Sequence, residues 1–559
     1  MRFMKRSIRK SMIIFFIFLV LAAILLVTFW TNHAQKKDNV TSESKPSIEQ
    51  SEEKKTYSFI NVHDAGAIGD GKHDDTKAIL NAIGQVKDGG SLIFDSNKIY
   101  LVAETIKITK DITLTTKGQT NATLLMGSNR KKEPVLYFTG KVKDTIKINT
   151  TLKTRDIHIK LPNSDNVDSD DLLLIESDTP WYFDPRTGTQ NLHKGELHRI
   201  IGANKSEAIL SEGLWDTYDP DAEQIEVKLI DPIKVNVEKI NVVRAPSNSR
   251  TIGMKLEYTS NSSINNVNVR NSTSTGIHVI SSYRTIVQDS IVVGANDKFS
   301  GYGIQTYGSS YSIIKDNRVT GSRRGIDVSG YYPDYYTTVE FNTVFGGGKN
   351  EFGLHYLTED TQYGVGSHST ANYTVFRGNI LGNLNYGINI RSANVKITQN
   401  KFLGLIKGSC IILGYGKNAS IIDNETISGN QVPKFASDIE LPKNIKDFNA
   451  STFLIVKRSY EMDESKLLIH DNRAEDISKE FIKFLDVKEM KSFQIKVLDI
   501  LDNNIKSVNS NSNDNKFFFI YSEFPITANE SRFSNNTVLN QTQKPMKRIY
   551  YNFKNNKSE

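Results

Sequence analysis

Residues 303–329 read GIQTYGSSYSIIKDNRVTGSRRGIDVS. One pattern opens and closes this stretch: Gly303-Ile304-Gln305-Thr306-Tyr307 and Gly325-Ile326-Asp327-Val328-Ser329. The same glycine followed by alternating residues stands at Gly253, Gly276, Gly364 and Gly387, and Ser409 is expected to take its place at the next step. The steps are 23, 27, 22, 39, 23 and 22 residues. A near-constant period of about 22 residues marks a solenoid whose coils stack only on their neighbours, with loop insertions in the longer steps. Taking Gly353 instead of Gly364 as the opening of the fourth complete coil would put His355 in the column. The separation from Gly364 to Asn379 matches its neighbours and favours Gly364.

A second register runs through Asn317, Asn342, Asn379, Asn400, Asn424, Asn472, Asn504 and Asn536, each three residues after an apolar side chain. Asparagines stacked at equivalent turns hydrogen-bond along such an array. The expected architecture is therefore all-β, with the coils continuing almost to the C-terminus and residues 431–465 forming a loop excursion.

Alternation within each strand sorts the side chains into two faces. The first position after the glycine points inward and is apolar throughout: Met254, Ile277, Ile304, Ile326, Val365, Ile388 and Cys410. Cys410 is thereby a core residue and not a nucleophile. Positions two and four point outward. They place Asp327, His368, Tyr307 and Arg391 as catalytic candidates, with His278, Gln305 and Asn389 beside them. A carboxylate, an imidazole, a phenol and a guanidinium are the groups needed to neutralise a uronate and move a proton next to it. An ordinary polar outer face is the plainer reading of the same residues. Two insertions frame the grid. One carries Tyr332 and Tyr335, the other Glu351, His355, Glu359, Asp360 and Tyr363. These supply aromatic platforms and polar groups for a sugar, or the tyrosines pack on one another.

Upstream, residues 60–83 combine a short strand, a turn with Gly66, Gly69 and Gly71, an N-cap carboxylate at Asp74 or Asp75, and an amphipathic helix through Ala78, Ile79, Ala82 and Ile83. No Gly-Lys-Ser/Thr follows, so this is not a phosphate loop. The segment resembles the opening signature of the pectate-lyase superfamily, the rhamnogalacturonase/epimerase-like group that includes phage tailspikes. That resemblance implies a single-stranded right-handed parallel β-helix with an N-terminal capping helix and a carbohydrate-facing role. Residues 171–230 resemble the β-rich insertion of tailspike-like members. Tyr363-Gly364-Val365-Gly366-Ser367-His368 is similar to the Tyr-Gly-Val-Asp-Pro-His stretch of mannuronan C5-epimerases, in which the Tyr, Asp and His belong to the active site. Gly366 and Ser367 replace the Asp and Pro here.

The chain has 559 residues, with 70 Lys+Arg against 63 Asp+Glu and one Cys. Arg2, Lys5, Arg6, Arg9 and Lys10 supply five of the seven net positive charges, which excludes a nucleic-acid footprint, and a single Cys excludes an internal disulfide. Met12–Trp30 is an uncharged apolar run of 19 residues. It is long enough to cross a bilayer, and the basic residues before it predict a cytoplasmic N-terminus with the bulk of the chain outside the cell. A cleaved signal peptide is the alternative. The expected organisation is a basic tail at 1–11, a transmembrane signal anchor at 12–30, a flexible linker at 31–57, a β-helix cap at 58–100, the β-helix at 101–430 and C-terminal coils at 431–559. Asp165, Asp168, Asp170 and Asp171 form an acidic run that would admit Ca²⁺, yet it lacks the Gly and terminal Glu of an EF-hand loop, and no metal or cofactor is assigned. The expected partner is a polysaccharide. The expected function is cleavage of an acidic glycan by lyase or hydrolase chemistry, with a non-catalytic glycan-binding or structural protein and a uronan C5-epimerase as alternatives.

Overall fold

The computed structural model describes residues 58–539 and 550–552 except 128–133, 163–165, 182–191, 205, 246–249, 347–362, 415–416, 428–448, 458–464, 486–492, 508–516 and 523–525. The apolar run at 12–30 and the linker at 31–57 lie outside the described residues, among which no helix is long and apolar enough to cross a membrane. The chain is built almost wholly of strands, with one α-helix at Thr76–Gln85. That helix stands at the head of the solenoid. Asp75 precedes it and accepts the Ile68 and Gly69 amides, while Asp74 accepts the Thr76 amide. Both carboxylates are structural, as their place at the helix start predicts.

Each regular coil contributes three short strands that pair in parallel with the coils before and after. In one coil these are Ile286–Gln288, Ile291–Val293 and Tyr302–Tyr307. They join Ile313–Lys315, Arg318–Thr320 and Arg324–Ser329 of the next. The inward stack runs through Ile277, Ile304, Ile326, Val365, Ile388, Ile411, Leu454 and Ile482, all buried. Coils this close leave no room behind the marker glycines. A Cβ on Gly303 would lie 2.4 Å from Val319 Cγ1 and 2.5 Å from the Gly325 carbonyl oxygen.

The asparagine ladder is continuous. Asn317 donates through its side chain to Asn342, Asn342 to Asn379, Asn379 to Asn400, Asn400 to Asn424 and Asn424 to Asn472, at 2.9–3.0 Å. The next rung is Asn503, not Asn504: Asn472 donates to Asn503 and Asn503 to Asn536.

Three expectations are corrected. Ser409 pairs with Tyr386, so Cys410 is the residue opposite Gly387, Ile411 points inward and Ile412 enters the outer row. Cys410 is fully buried all the same. The insertion is larger than residues 171–230: strands from Lys141–Ile148 to Ile225–Asp231 form a six-stranded antiparallel sheet. Within 431–465, Asn449–Lys457 is a strand of the solenoid, paired with the coils on both sides.

The insertion has its own core. A second apolar contact, in which Leu172, Leu174, Leu197 and Ile230 meet Tyr283 and Tyr332 of the coils, docks it on the solenoid. His198 is buried beside this contact. Its Nε2 lies 2.6 Å from Glu196, its Nδ1 3.2 Å from Glu212, and its ring packs on Trp215. Burial opposes the charged imidazole, but the two carboxylates outweigh it and push the pKa up to about 9.

Candidate functional site

The outer row is in register from end to end. Lys107, Tyr137, Lys255, His278, Gln305, Asp327, Gly366, Asn389, Ile412, Ile455, Lys483 and Tyr521 are successive partners across twelve strands. Tyr302, Arg324, Tyr363 and Tyr386, each just before a marker glycine, form a parallel row; strict alternation would turn this position inward, but Arg324 and Tyr363 reach Asp327.

The two rows converge on Asp327. The Tyr363 hydroxyl donates to Asp327 Oδ1, and Gln305 Nε2 donates to Oδ2 at 3.1 Å and to Ser329 Oγ at 3.0 Å. Arg324 Nη1 and His368 Nε2 lie 3.8 and 3.6 Å from Oδ1. Arg324 Nη1 also donates to His368 Nε2, which makes that nitrogen an acceptor and leaves the ring proton on Nδ1. The Arg324 guanidinium sits 4.9 Å from the centroid of the Tyr363 ring and 5.5 Å from that of Tyr302. Asp327 is fully enclosed, whereas the His368 side chain is 25% exposed. Access to a ligand therefore falls to His368 and to Arg324, whose side chain is 12% exposed.

Burial governs the titration of these groups. It pushes the Tyr363 phenol well above its usual range, against the pull of Arg324 and with the help of Asp327. Burial would lower Arg324, but Tyr363 and Asp327 outweigh it and hold the guanidinium charged. At His278, burial first and Lys255 second bring the pKa down to about 3, so the ring is neutral.

The structure brings Asp327, His368, Gln305 and Tyr363 together. Tyr307 stands one coil toward the N-terminus, its ring edge-on to His278 at 5.9 Å and to Tyr331 at 5.2 Å. Asn389 and Arg391 lie two coils from Asp327 toward the C-terminus, where the Arg391 amide donates to the Ser367 carbonyl. Tyr332 and Tyr335 are corrected: both are buried. Tyr332 bonds Ser281 within the docking contact, and Tyr335 packs on Trp215 at 4.2 Å, so neither offers an open face to a sugar. Glu351, His355, Glu359 and Asp360 lie outside the described residues. Of the acidic run, Asp168 and Asp171 share Lys143, Asp170 pairs with Arg199, and Asp165 is not among the described residues.

Two family models match the sequence: "Rhamnogalacturonase A/epimerase, pectate lyase-like" over residues 59–168, and "Periplasmic copper-binding protein (NosD)" over residues 231–362. Among solved structures, the tailspike gp49 of Pseudomonas phage LKA1 superposes with a TM-score of 0.56 at 13% identity, over 85% of this chain and 81% of that one. The chain carries the β-helix fold of this tailspike, and its residues 59–168 match the pectate-lyase-like family model. Two further structures carry the same fold. The tailspike gp61 of Pseudomonas phage phi297 gives a TM-score of 0.55 at 11% identity, over 87% of this chain and 78% of its own. The gp54 tailspike of Acinetobacter baumannii bacteriophage AP22, solved in complex with A. baumannii capsular saccharide, gives 0.53 at 11% identity, over 86% and 73%. A comparison with the curated proteins finds no match.

In this β-helix protein the sequence reading missed Arg324 and Tyr302. Both lie one residue before a marker glycine, where strict alternation points inward, so the pattern that found Asp327 gives no signal for them.

Proposed function

We propose that the chain is a polysaccharide-active β-helix enzyme that cleaves an acidic glycan by β-elimination, held at the outer surface of a membrane by residues 12–30. The observation that carries this reading is the contact between Arg324 and His368 beside the enclosed Asp327. A uronate carboxylate arriving at Arg324 replaces His368 as the partner of the guanidinium, which frees the Nε2 lone pair. His368 then takes the C5 proton, Arg324 stabilises the charge developing on the carboxylate, the C4–O bond breaks as the C4–C5 double bond forms, and the imidazolium returns the proton to the departing oxygen. Asp327 fixes Tyr363 and Arg324 without touching the substrate. Two-carboxylate hydrolysis fits less well: Asp327 and Asp334, which interact electrostatically, are both fully enclosed.

The second reading is a glycan-binding protein without chemistry. It is favoured by the Asp327 carboxylate, whose oxygens are already occupied by Tyr363 and Gln305. Purified full-length chain incubated with polygalacturonate, alginate and neutral glucans separates the two. β-Elimination yields unsaturated uronates, detected by their ultraviolet absorbance, and His368→Ala abolishes them while binding persists. Binding with no product from any polymer would move the protein to the second reading.

A further inference from the structure

The outer row is asymmetric about Asp327. On the C-terminal side, Asn389 gives way at once to Ile412 and Ile455, and polar side chains return only at Lys483 and Tyr521. On the N-terminal side it stays polar through Gln305, His278, Lys255, Tyr137 and Lys107. Five strand spacings separate Lys107 from Asp327, about 24 Å.

Three strands before Asp327 this polar side gathers a second constellation. The Tyr137 hydroxyl donates to Glu257 Oε2, Lys255 Nζ bonds the same oxygen at 3.0 Å, and Lys255 Nζ sits 4.7 Å from the centroid of the Tyr137 ring, with Lys107 Nζ at 5.5 Å. Carboxylate, phenol and cation repeat the chemistry of Asp327, Tyr363 and Arg324, but here the Lys255 and Glu257 side chains are 23% and 21% exposed. Between the two groups lies His278. Both of its ring nitrogens are shielded from water and neither meets a hydrogen-bond partner. An imidazole desolvated without a partner is a burden on folding that nothing among the described residues relieves.

We propose that Lys107, Tyr137, Lys255 and Glu257 form a second binding subsite, linked to the centre through His278, and that one carboxylated polysaccharide strand lies along the row from Asp327 toward the N-terminal cap. Lysine ammoniums take the carboxylates of the strand, and Glu257 takes its hydroxyls. The inference rests on the function proposed above and adds to it the path of the polymer. A ligand seated on the row displaces the Tyr307 ring from His278 and gives the neutral imidazole hydroxyls to bond.

The test uses full-length His368→Ala chain, silent in chemistry, and dimers and octamers of galacturonate, mannuronate and glucose as probes. Glu257→Gln and Lys255→Met are expected to weaken binding of a uronate octamer about tenfold and leave the dimer unchanged, since only the octamer spans both sites. His278→Leu is expected to weaken the octamer as well, while raising the midpoint of thermal unfolding by about 1–2 °C through relief of the unpaired imidazole. Unchanged octamer binding, or equal loss for dimer and octamer, would overturn the subsite while leaving the centre intact. The same length-dependent loss with glucose oligomers would overturn the carboxylated ligand. Binding of none of the probes would overturn the function proposed above, and the subsite with it.

Discussion

The coils around Asp327 and those that follow Ile412 share one interior and differ on one face. Both continue the same inward apolar stack and the same asparagine ladder, and the later coils add Phe453 stacked on Phe481 and Phe481 on Phe519, with centroids 5.1 and 5.3 Å apart. On the outside, Asp327, Arg324, Tyr363 and His368 face the same way as Ile412 and Ile455 do a few coils later. The inward positions therefore carry the fold and the outward ones are available for chemistry, so disturbing one set should leave the other largely intact.

The sharpest break in that comparison is at the centre. Arg324→Lys keeps a charge but loses the planar fork that meets both His368 and a carboxylate. Turnover is expected to fall about a thousandfold, roughly 4 kcal/mol of transition-state stabilisation, with the unfolding midpoint little changed. Comparable losses in turnover and stability would mean that Arg324 serves the fold.

Asn400→Ala does the reverse. It removes the acceptor of the Asn379 amide and side chain and the donor to Asn424 and the Phe376 carbonyl, leaving buried groups unpaired. Denaturant titration should show a loss of about 4 kcal/mol in a single transition, because the ladder runs through both regions. Two separate transitions would show that the regions are independent.

The stability of the insertion depends on pH through His198, whose partners Glu196, Glu212 and Trp215 belong to the insertion itself. Its folded-state pKa of about 9 lies above the unfolded value of 6.5, so its contribution is complete below pH 6.5 and is lost as pH rises through 9. Unfolding at a series of pH values should lose about 3 kcal/mol over that window, a slope that His198→Gln removes. A slope unchanged in the variant would place the titration elsewhere. The smallest effect is expected at Ile455→Gln, in the apolar stretch of the outer row between Asn389 and Lys483: under about 1 kcal/mol in stability and no change in turnover.

Much of this was legible in the sequence. The glycine period, the alternation and the asparagines are local signals repeated many times, so an error at one coil, such as Ser409 for Cys410 or Asn504 for Asn503, did not spoil the fold. The centre was legible in part: Asp327, His368 and Gln305 follow from alternation and Tyr363 from the epimerase-like stretch, while Arg324 was missed because alternation turns the residue before the glycine inward. Tyr332 and Tyr335 could not be placed from sequence. Their burial depends on an insertion more than a hundred residues away in the chain docking onto their loop, and nothing in the local pattern announces that contact.

The most direct test is the structure of His368→Ala bound to a uronate octamer. The account predicts a carboxylate on Arg324 and the strand running over His278 to Lys255 and Glu257. An octamer lying instead over Ile412 and Ile455, or away from the outer row altogether, would contradict it.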